Sequence, residues 1–291
     1  MTGRMTRSEG LSSVTGRIVI IGLISIALLY SAVIAWFRAN ENRLVYLPDP
    51  GPLADPPPSL GLHPQRVTFA APGGPRLVAW RIVPPVGAQD PRWILVLHGN
   101  AGNLVTPGRP EHDLQLHDLG AGVLAVDYRG YGESAGTPTE EGLYADARAA
   151  YDYLRDSLHL PPRRIVIYGH SLGAGVAVRL ATEVVAAGLV VEGAFTSVPD
   201  RGAELYPWLP VHLIARNRFD SIDRIGTLRM PLLVIHGRDD TTIPIAHGRR
   251  LFASAPQPKQ FLEVAGGHDD AYSVGREAYE AGFRGFLARL P

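Results

Sequence analysis

Cysteine is absent from the 291-residue chain, and lysine occurs once, at Lys259. The first absence excludes disulfides, thiolate metal sites, iron–sulfur clusters and a cysteine nucleophile. The second leaves Schiff-base chemistry a single candidate, in the polar turn Gln257-Pro258-Lys259-Gln260, and we discount it there. Net charge is lacking too, because 28 Lys+Arg balance 28 Asp+Glu. Binding to nucleic-acid phosphates calls for a basic surplus, so no nucleic-acid partner is expected. No internal repeat, no H-E-x-x-H and no G-x-x-x-x-G-K element occurs, so neither a metal nor a cofactor is expected. Hydrophobic residues make up 46% of the chain and charged residues 19%, a globular composition. Once one apolar segment is set aside, roughly 250 residues remain, enough for one large domain with a full core.

That apolar segment is Ile18–Phe37, an uncharged run bracketed by Arg17 and Arg38. It is long enough to cross a bilayer as a helix and lacks the polar stripe of a core helix. It reads as a transmembrane signal anchor after an N-terminal tail (1–17). A signal peptide cleaved after Val33-Ile34-Ala35 is the competing reading, although its apolar core is usually shorter. Arg4, Arg7 and Arg17 precede the span and Arg38 and Arg43 follow it. This slight excess favours a cytoplasmic N-terminus and a large domain on the exported side. Residues 38–64 read as a linker, with Pro48, Pro50, Pro52, Pro56, Pro57, Pro58 and Pro64 excluding regular structure from Leu47 on. The stretch is an extended spacer or a loop packed on the domain; sequence does not separate the two.

From residue 65 onward, strand-like runs alternate with helical patterns. Arg66–Ala70 and Leu77–Val83 read as an antiparallel pair joined by Pro72-Gly73-Gly74-Pro75. Further strands are expected at Trp93–Leu97, Gly122–Val126, Arg164–Tyr168, Leu189–Ala194, Leu232–Ile235 and Gln260–Val264. Helices are expected at Glu140–Leu158, Ser171–Ala187, Ile245–Ala253 and Asp270–Leu290. Alternation of this kind implies an α/β fold with a mostly parallel, eight-stranded sheet flanked by helices. Ligand sites in such sheets lie beyond the carboxyl ends of the strands.

One such strand end carries Gly169-His170-Ser171-Leu172-Gly173, a G-x-S-x-G pattern between a strand and a helix. This is the setting of a nucleophile elbow, where a sharp turn lifts the Ser171 hydroxyl over a helix N-terminus. A serine needs a base, and His268 stands on the Gly266-Gly267 loop after the last strand. His98 and His236 read as structural hydrogen-bonding residues. His170 is expected to point away from the site, and His63, His112, His117, His159, His212 and His247 are expected to be solvated. The acid that orients the base falls in Arg238-Asp239-Asp240, with Asp200 a distant third choice; Asp269 and Asp270 read as caps of the last helix. Two backbone N–H groups are expected to form an oxyanion hole: that of Leu172, and that of Asn100 in the loop Leu97-His98-Gly99-Asn100-Ala101-Gly102-Asn103.

Taken together these motifs resemble the α/β-hydrolase superfamily, and most closely its membrane-anchored, α/β-hydrolase-domain-containing branch, which includes protein depalmitoylases. The resemblance runs from about Asn40 to the C-terminus. It rests on Asn42–Pro48, His98–Asn103, Asp127–Ser134, Gly169–Gly173, Phe219-Asp220-Ser221, His236–Asp240 with Ile243-Pro244, and Gly267-His268. Alignment with the family's HG-x-x-D-x-x-V-P element implies Asp240 as the acid. The order Ser171, Asp240, His268 is the family's own. The resemblance implies a serine hydrolase acting on carboxylic esters or thioesters, with a small-molecule or lipid-like acyl substrate. A peptidase or amidase of the same fold, or a non-catalytic anchored binding module, are the alternatives. Where palmitoylated relatives carry an N-terminal cysteine cluster, this chain has a hydrophobic span. Asp127-Tyr128-Arg129 reads as structural. Thr196–Met230 reads as a short cap, in which Tyr206-Pro207-Trp208-Leu209-Pro210 and Leu213 either line an acyl pocket or form a small packed helix.

Overall fold

A computed structural model describes residues 7–71 and 73–291; Arg4 of the tail and Pro72 of the expected turn lie outside the described residues. The apolar run sits inside a longer helix, α1 (Arg7–Val45). No proline interrupts positions 7–45, and the helix stops just short of Pro48. Residues 38–45 of the expected linker are therefore helical. By length and composition α1 is a candidate membrane span.

The rest of the proline-rich stretch lies on the domain. Leu47–Pro48 pairs in parallel with Ala101–Gly102, and Leu53 and Leu62 are buried. The Leu53 N–H donates to Glu133 Oε1 at 2.9 Å, and the same carboxylate oxygen takes the Arg66 guanidinium at 2.8 Å.

Eight strands form the main sheet: β1 (Gln65–Phe69), β2 (Leu77–Ile82), β3 (Trp93–Leu97), β4 (Gly122–Asp127), β5 (Ile165–His170), β6 (Gly188–Glu192), β7 (Leu232–Gly237) and β8 (Lys259–Val264). Their order is β8-β7-β6-β5-β3-β4-β2-β1. β2 is antiparallel to both β1 and β4, and every other pairing is parallel. Each of the eight lies within two residues of its expected position. In β3, Trp93, Leu95 and Leu97 enter one core layer while Ile94 and Val96 enter the other. This period-two division is what a strand buried on both faces requires. Cutting fully buried Leu95 to alanine costs about 2–5 kcal/mol by the usual cavity penalty.

The helices after α1 are α2 (Arg109–Asp118), α3 (Glu140–Asp152), α4 (Leu172–Ala181), α5 (Val198–Leu205), α6 (Val211–Ile214), α7 (Ser221–Ile225), α8 (Ile245–Ser254), α9 (Ala271–Val274) and α10 (Arg276–Ala288). One core layer holds Leu143, Val176, Ile225 and Leu251 from α3, α4, α7 and α8; the other holds Leu116, Tyr279 and Phe283 from α2 and α10. Three expected helices are shorter than their sequence pattern. α3 passes into a π turn at Tyr153–Ser157. α4 ends at Ala181, where the Thr182 hydroxyl bonds the Arg179 carbonyl, because the chain must return to Gly188 against Phe286 and Leu290. The last helix breaks at Gly275, where the backbone comes so close to Ala265 that a side chain would not fit.

The cap between β6 and β7 is α5–α7, and α1 docks on it. The Tyr30 hydroxyl donates to the Trp208 carbonyl at 2.9 Å, and Phe37 meets Tyr206 edge-on with centroids 5.2 Å apart. The Glu41 carboxylate accepts the N–H of Arg216 (2.8 and 3.0 Å) and of Asn217 (2.7 Å). Asn217 also joins Asn42 and Tyr46.

Candidate active site

β5 runs straight into the elbow. Ser171 has φ 54° and ψ −119°, a left-handed conformation costly for a residue with a side chain. Glycine is required two positions to either side, since a side chain at Gly169 would strike the Gly173 carbonyl and one at Gly173 would strike that of Leu97. The turn sets the Ser171 hydroxyl at the N-terminus of α4.

His268 reaches the same point from the loop after β8. Its Nε2 lies 2.8 Å from Ser171 Oγ, and its Nδ1 lies 2.7 Å from Asp240 Oδ2. Asp240 is buried after β7, and its Oδ1 accepts the Ile243 N–H at 2.7 Å. Burial alone would raise the Asp240 pKa. Hydrogen bonds from His236 and His268 and the Ile243 N–H outweigh it and hold the carboxyl well below the usual range. Asp240 is therefore the anionic partner of the imidazole. Asp239 is exposed, and Asp200 accepts the Thr196 hydroxyl. Asp270 begins α9 but does not cap it through its side chain; its carboxylate takes the Gly267 N–H at 2.6 Å and so braces the His268 loop. Gly193 lies against the imidazole at φ 54°, and a Cβ there would sit 3.0 Å from His268 Cε1.

Several histidines depart from expectation. His170 does not turn away: it lines the cavity beside Ser171, and its Nε2 donates to the His268 carbonyl at 2.8 Å. Burial, and then the nearby charge of His268, push its pKa down to about 4. His112 is buried against Tyr279 at 2.9 Å, and burial drives its pKa to about 3. His247 is buried as well, between Thr196 and Glu204. α2 and α8 bring polar faces inward here, which apolar periodicity does not reveal. His98 lies between Asp127 Oδ1 and the Gly99 carbonyl, and Arg129 grips Asp146 at 2.7 Å, so these residues are structural as expected.

The loop after β3 is held by Arg109, which the sequence did not single out. Its guanidinium donates to the carbonyls of Asn103 (2.6 Å), Ala101 (2.5 Å) and Gly99 (3.4 Å). The signal was the helix start Gly108-Arg109-Pro110-Glu111, where Glu111 caps the Gly108 N–H at 2.9 Å. Asn100, in the middle of this loop, gives its carbonyl to the Leu47 N–H and the Tyr131 hydroxyl.

Two cavities meet at the elbow and share Asn100, Ser171 and Thr242. One, about 360 Å³, is the more polar of the two, with Arg109, Asp113 and His170 among its lining residues. Burial, partly offset by Arg109, raises the Asp113 carboxyl to about 8. The other, about 320 Å³, is mostly apolar and is lined by Leu172, Phe195, Leu205, Leu209 and part of α1. Of the cap residues singled out from sequence, Tyr206 and Leu209 line it, while Trp208 and Leu213 face outward. His170, His268 and Asp269 offer ligand atoms within 4.8 Å of one another. Both ring nitrogens of His268 are already engaged, so a cation held there would take the imidazole from Ser171 or from Asp240.

A family model described as the alpha/beta hydrolase family matches residues 94–272, more than half of the chain, and the chain belongs to that family. Its place is on the α/β-hydrolase-domain-containing branch. An uncharacterized protein of Mycobacterium tuberculosis, Rv2307c, is 41% identical over 84% of this chain and 86% of its own length. The protein WAV2 of Arabidopsis thaliana is 31% identical over 85% of this chain and 87% of its own. Lysophosphatidylserine lipase ABHD12 of Danio rerio is 31% identical, over 64% of this chain and 57% of that protein. Among solved structures, the esterase Pf2001 of Pyrococcus furiosus superposes with a TM-score of 0.69 at 21% identity, covering 84% of this chain and 99% of that one. The fold is thus that of α/β-hydrolases with esterase and lipase neighbours.

Proposed function

We propose that the protein is a serine hydrolase that cleaves carboxylic ester or thioester bonds by way of Ser171, His268 and Asp240. One observation carries the reading: the unbroken relay Ser171 Oγ, His268 Nε2, His268 Nδ1, Asp240 Oδ2, with links of 2.8 and 2.7 Å, at a strained elbow.

His268 takes the Ser171 hydroxyl proton as Oγ bonds to the acyl carbon. The N–H groups of Leu172 and Asn100 receive the oxyanion, and the α4 N-terminus adds a favourable field. The intermediate collapses with loss of the alcohol or thiol, which takes the proton from His268. A water then attacks the acyl-enzyme and gives a proton to His268, and the intermediate collapses to release the acid as Ser171 Oγ takes that proton from His268. Asp240 stays ionised and holds Nδ1–H, so Nε2 is the basic nitrogen. The similarity to an esterase and to a lysophosphatidylserine lipase supports ester substrates over amides.

In this reading α1 remains as an anchor and the catalytic domain lies on the exported side. Tyr30, upstream of the alternative cleavage point at Ala35, is bonded to the cap, which supports a retained helix. The test is covalent labelling by a fluorophosphonate, together with turnover of p-nitrophenyl esters, by the full chain and by Ser171→Ala. Labelling and hydrolysis by the unaltered chain alone are expected. A folded protein that does neither would sink the proposal.

A further inference from the structure

The apolar cavity beside Ser171 is not made by the catalytic domain alone. Phe37, Arg38, Glu41, Leu44 and Val45 of α1 line it together with Leu205, Leu209 and Ile214 of the cap, and the Glu41 carboxylate is taken up by the N–H groups of Arg216 and Asn217. Phe37 closes the apolar run of α1, so it marks the level at which the helix would leave a bilayer. From Phe37 to Leu44 the helix rises about 10 Å. The cavity thus begins at the membrane surface and ends at the nucleophile. The outer side of the cap exposes apolar side chains at this level and deeper toward the span, where the Tyr30 hydroxyl meets the Trp208 carbonyl. Trp208 is 55% exposed, Leu205 55% and Leu213 82%, and Trp36 of α1, edge-on to Phe37, is 54% exposed. Exposed aromatic and aliphatic side chains gathered around the exit of an apolar helix are what an interfacial surface carries.

We infer that this cavity is an acyl-chain site built in part by the membrane helix, and that the acyl chain of a membrane lipid ester enters it sideways from the bilayer, between α1 and the cap. The inference rests on the hydrolase reading above. With the chain along α1, the ester carbonyl reaches Ser171 and the leaving group lies in the polar cavity by Arg109 and His170. At about 320 Å³ the apolar cavity is near the lower end of ligand pockets, which run from about 300 to 1,000 Å³, so it holds one chain. α1 is then a specificity element as well as an anchor.

Two measurements on the full chain in mixed phospholipid micelles test this. The first compares kcat/KM for p-nitrophenyl palmitate and p-nitrophenyl acetate in the unaltered protein, Leu44→Trp and Ala215→Trp. Leu44 of α1 and Ala215 of the cap both line the cavity, and neither is fully buried. Each tryptophan should lower the palmitate-to-acetate ratio about tenfold or more, the scale set by losing a methylene or two of pocket contact. The second needs no variant. A fluorophosphonate with a long alkyl tail ending in a diazirine is attached to Ser171, photolysed, and its cross-links are mapped. Cross-links in residues 37–45 and 205–215 are expected. Unchanged ratios in both variants, or cross-links confined to residues 104–113 of the polar cavity, would overturn the inference while leaving the hydrolase reading intact. Absence of labelling in the unaltered protein would overturn both.

Discussion

His170 Nε2 donates a 2.8 Å hydrogen bond to the backbone carbonyl of His268, so the residue before the candidate nucleophile holds the loop that carries its base. Because burial keeps the His170 pKa near 4, the ring is neutral through the usual working range and the donor is constant. His170→Ala should lower kcat by about 10–100-fold, the cost of a small misplacement of a catalytic group, with little change in KM. His170→Gln, which restores an N–H donor, should recover part of the loss. Steady-state kinetics on the three proteins decide it. Equal kcat for His170→Ala and the unaltered chain would show that the loop holds without this bond.

The two neighbouring acids should separate cleanly. Asp240 carries the bond to His268, whereas Asp239 is exposed. Asp240→Asn leaves the shape of the site but favours the wrong imidazole tautomer, and kcat should fall by about 10⁴-fold. Asp239→Asn should stay close to the unaltered rate. The reverse ranking would move the acid to position 239.

Arg109 binds the carbonyls of Gly99, Ala101 and Asn103 and so fixes the loop that carries Asn100, whose N–H is the proposed second oxyanion donor. In Arg109→Met that donor is no longer held in place. The expected loss is in kcat, up to the 10²–10³-fold typical of a missing oxyanion donor. Fluorophosphonate labelling should slow in parallel. A pure KM effect would instead make Arg109 a substrate contact.

Asp113 should leave a mark on stability. The carboxyl titrates at 3.8 in the unfolded chain and at about 8 in the fold, where burial outweighs the pull of Arg109. Between those values the folded chain holds a proton that the unfolded chain has lost. This group's contribution to stability is complete below pH 3.8 and is lost as pH rises toward about 8. Melting temperatures of the unaltered protein and Asp113→Asn, measured across that window, should diverge in favour of the variant as pH rises. Parallel curves would mean that Asp113 is ionised throughout.

The sheet was legible because its strands are continuous Val/Ile/Leu runs such as Trp93–Leu97 and Leu232–Ile235, bounded by glycines and charged turns. Ser171 and His268 were legible because a strained elbow and a glycine-rich loop leave local marks on sequence. α2 was missed for the opposite reason. In Arg109–Asp118 the buried face mixes polar His112, Asp113 and Gln115 with Pro110 and Leu116, so hydropathy periodicity gives no helical stripe there. His170 was misjudged because strand alternation sends neighbours to opposite faces, while the left-handed turn at Ser171 brings both residues to one cavity. The grip of Glu41 on Arg216 and Asn217 joins residues some 175 positions apart and has no local signature.

That grip makes the joint between α1 and the catalytic domain a stiff one, with Glu41 taking both N–H groups and Tyr46 and Asn42 closing on Asn217. With α1 in a bilayer and a lipid ester as substrate, as proposed above, a stiff joint would fix the height and tilt of Ser171 over the lipid plane, and the encounter would become a planar search. Turnover then follows the mole fraction of ester within the surface. Adding inert lipid at constant total ester would slow the reaction although the bulk concentration had not changed.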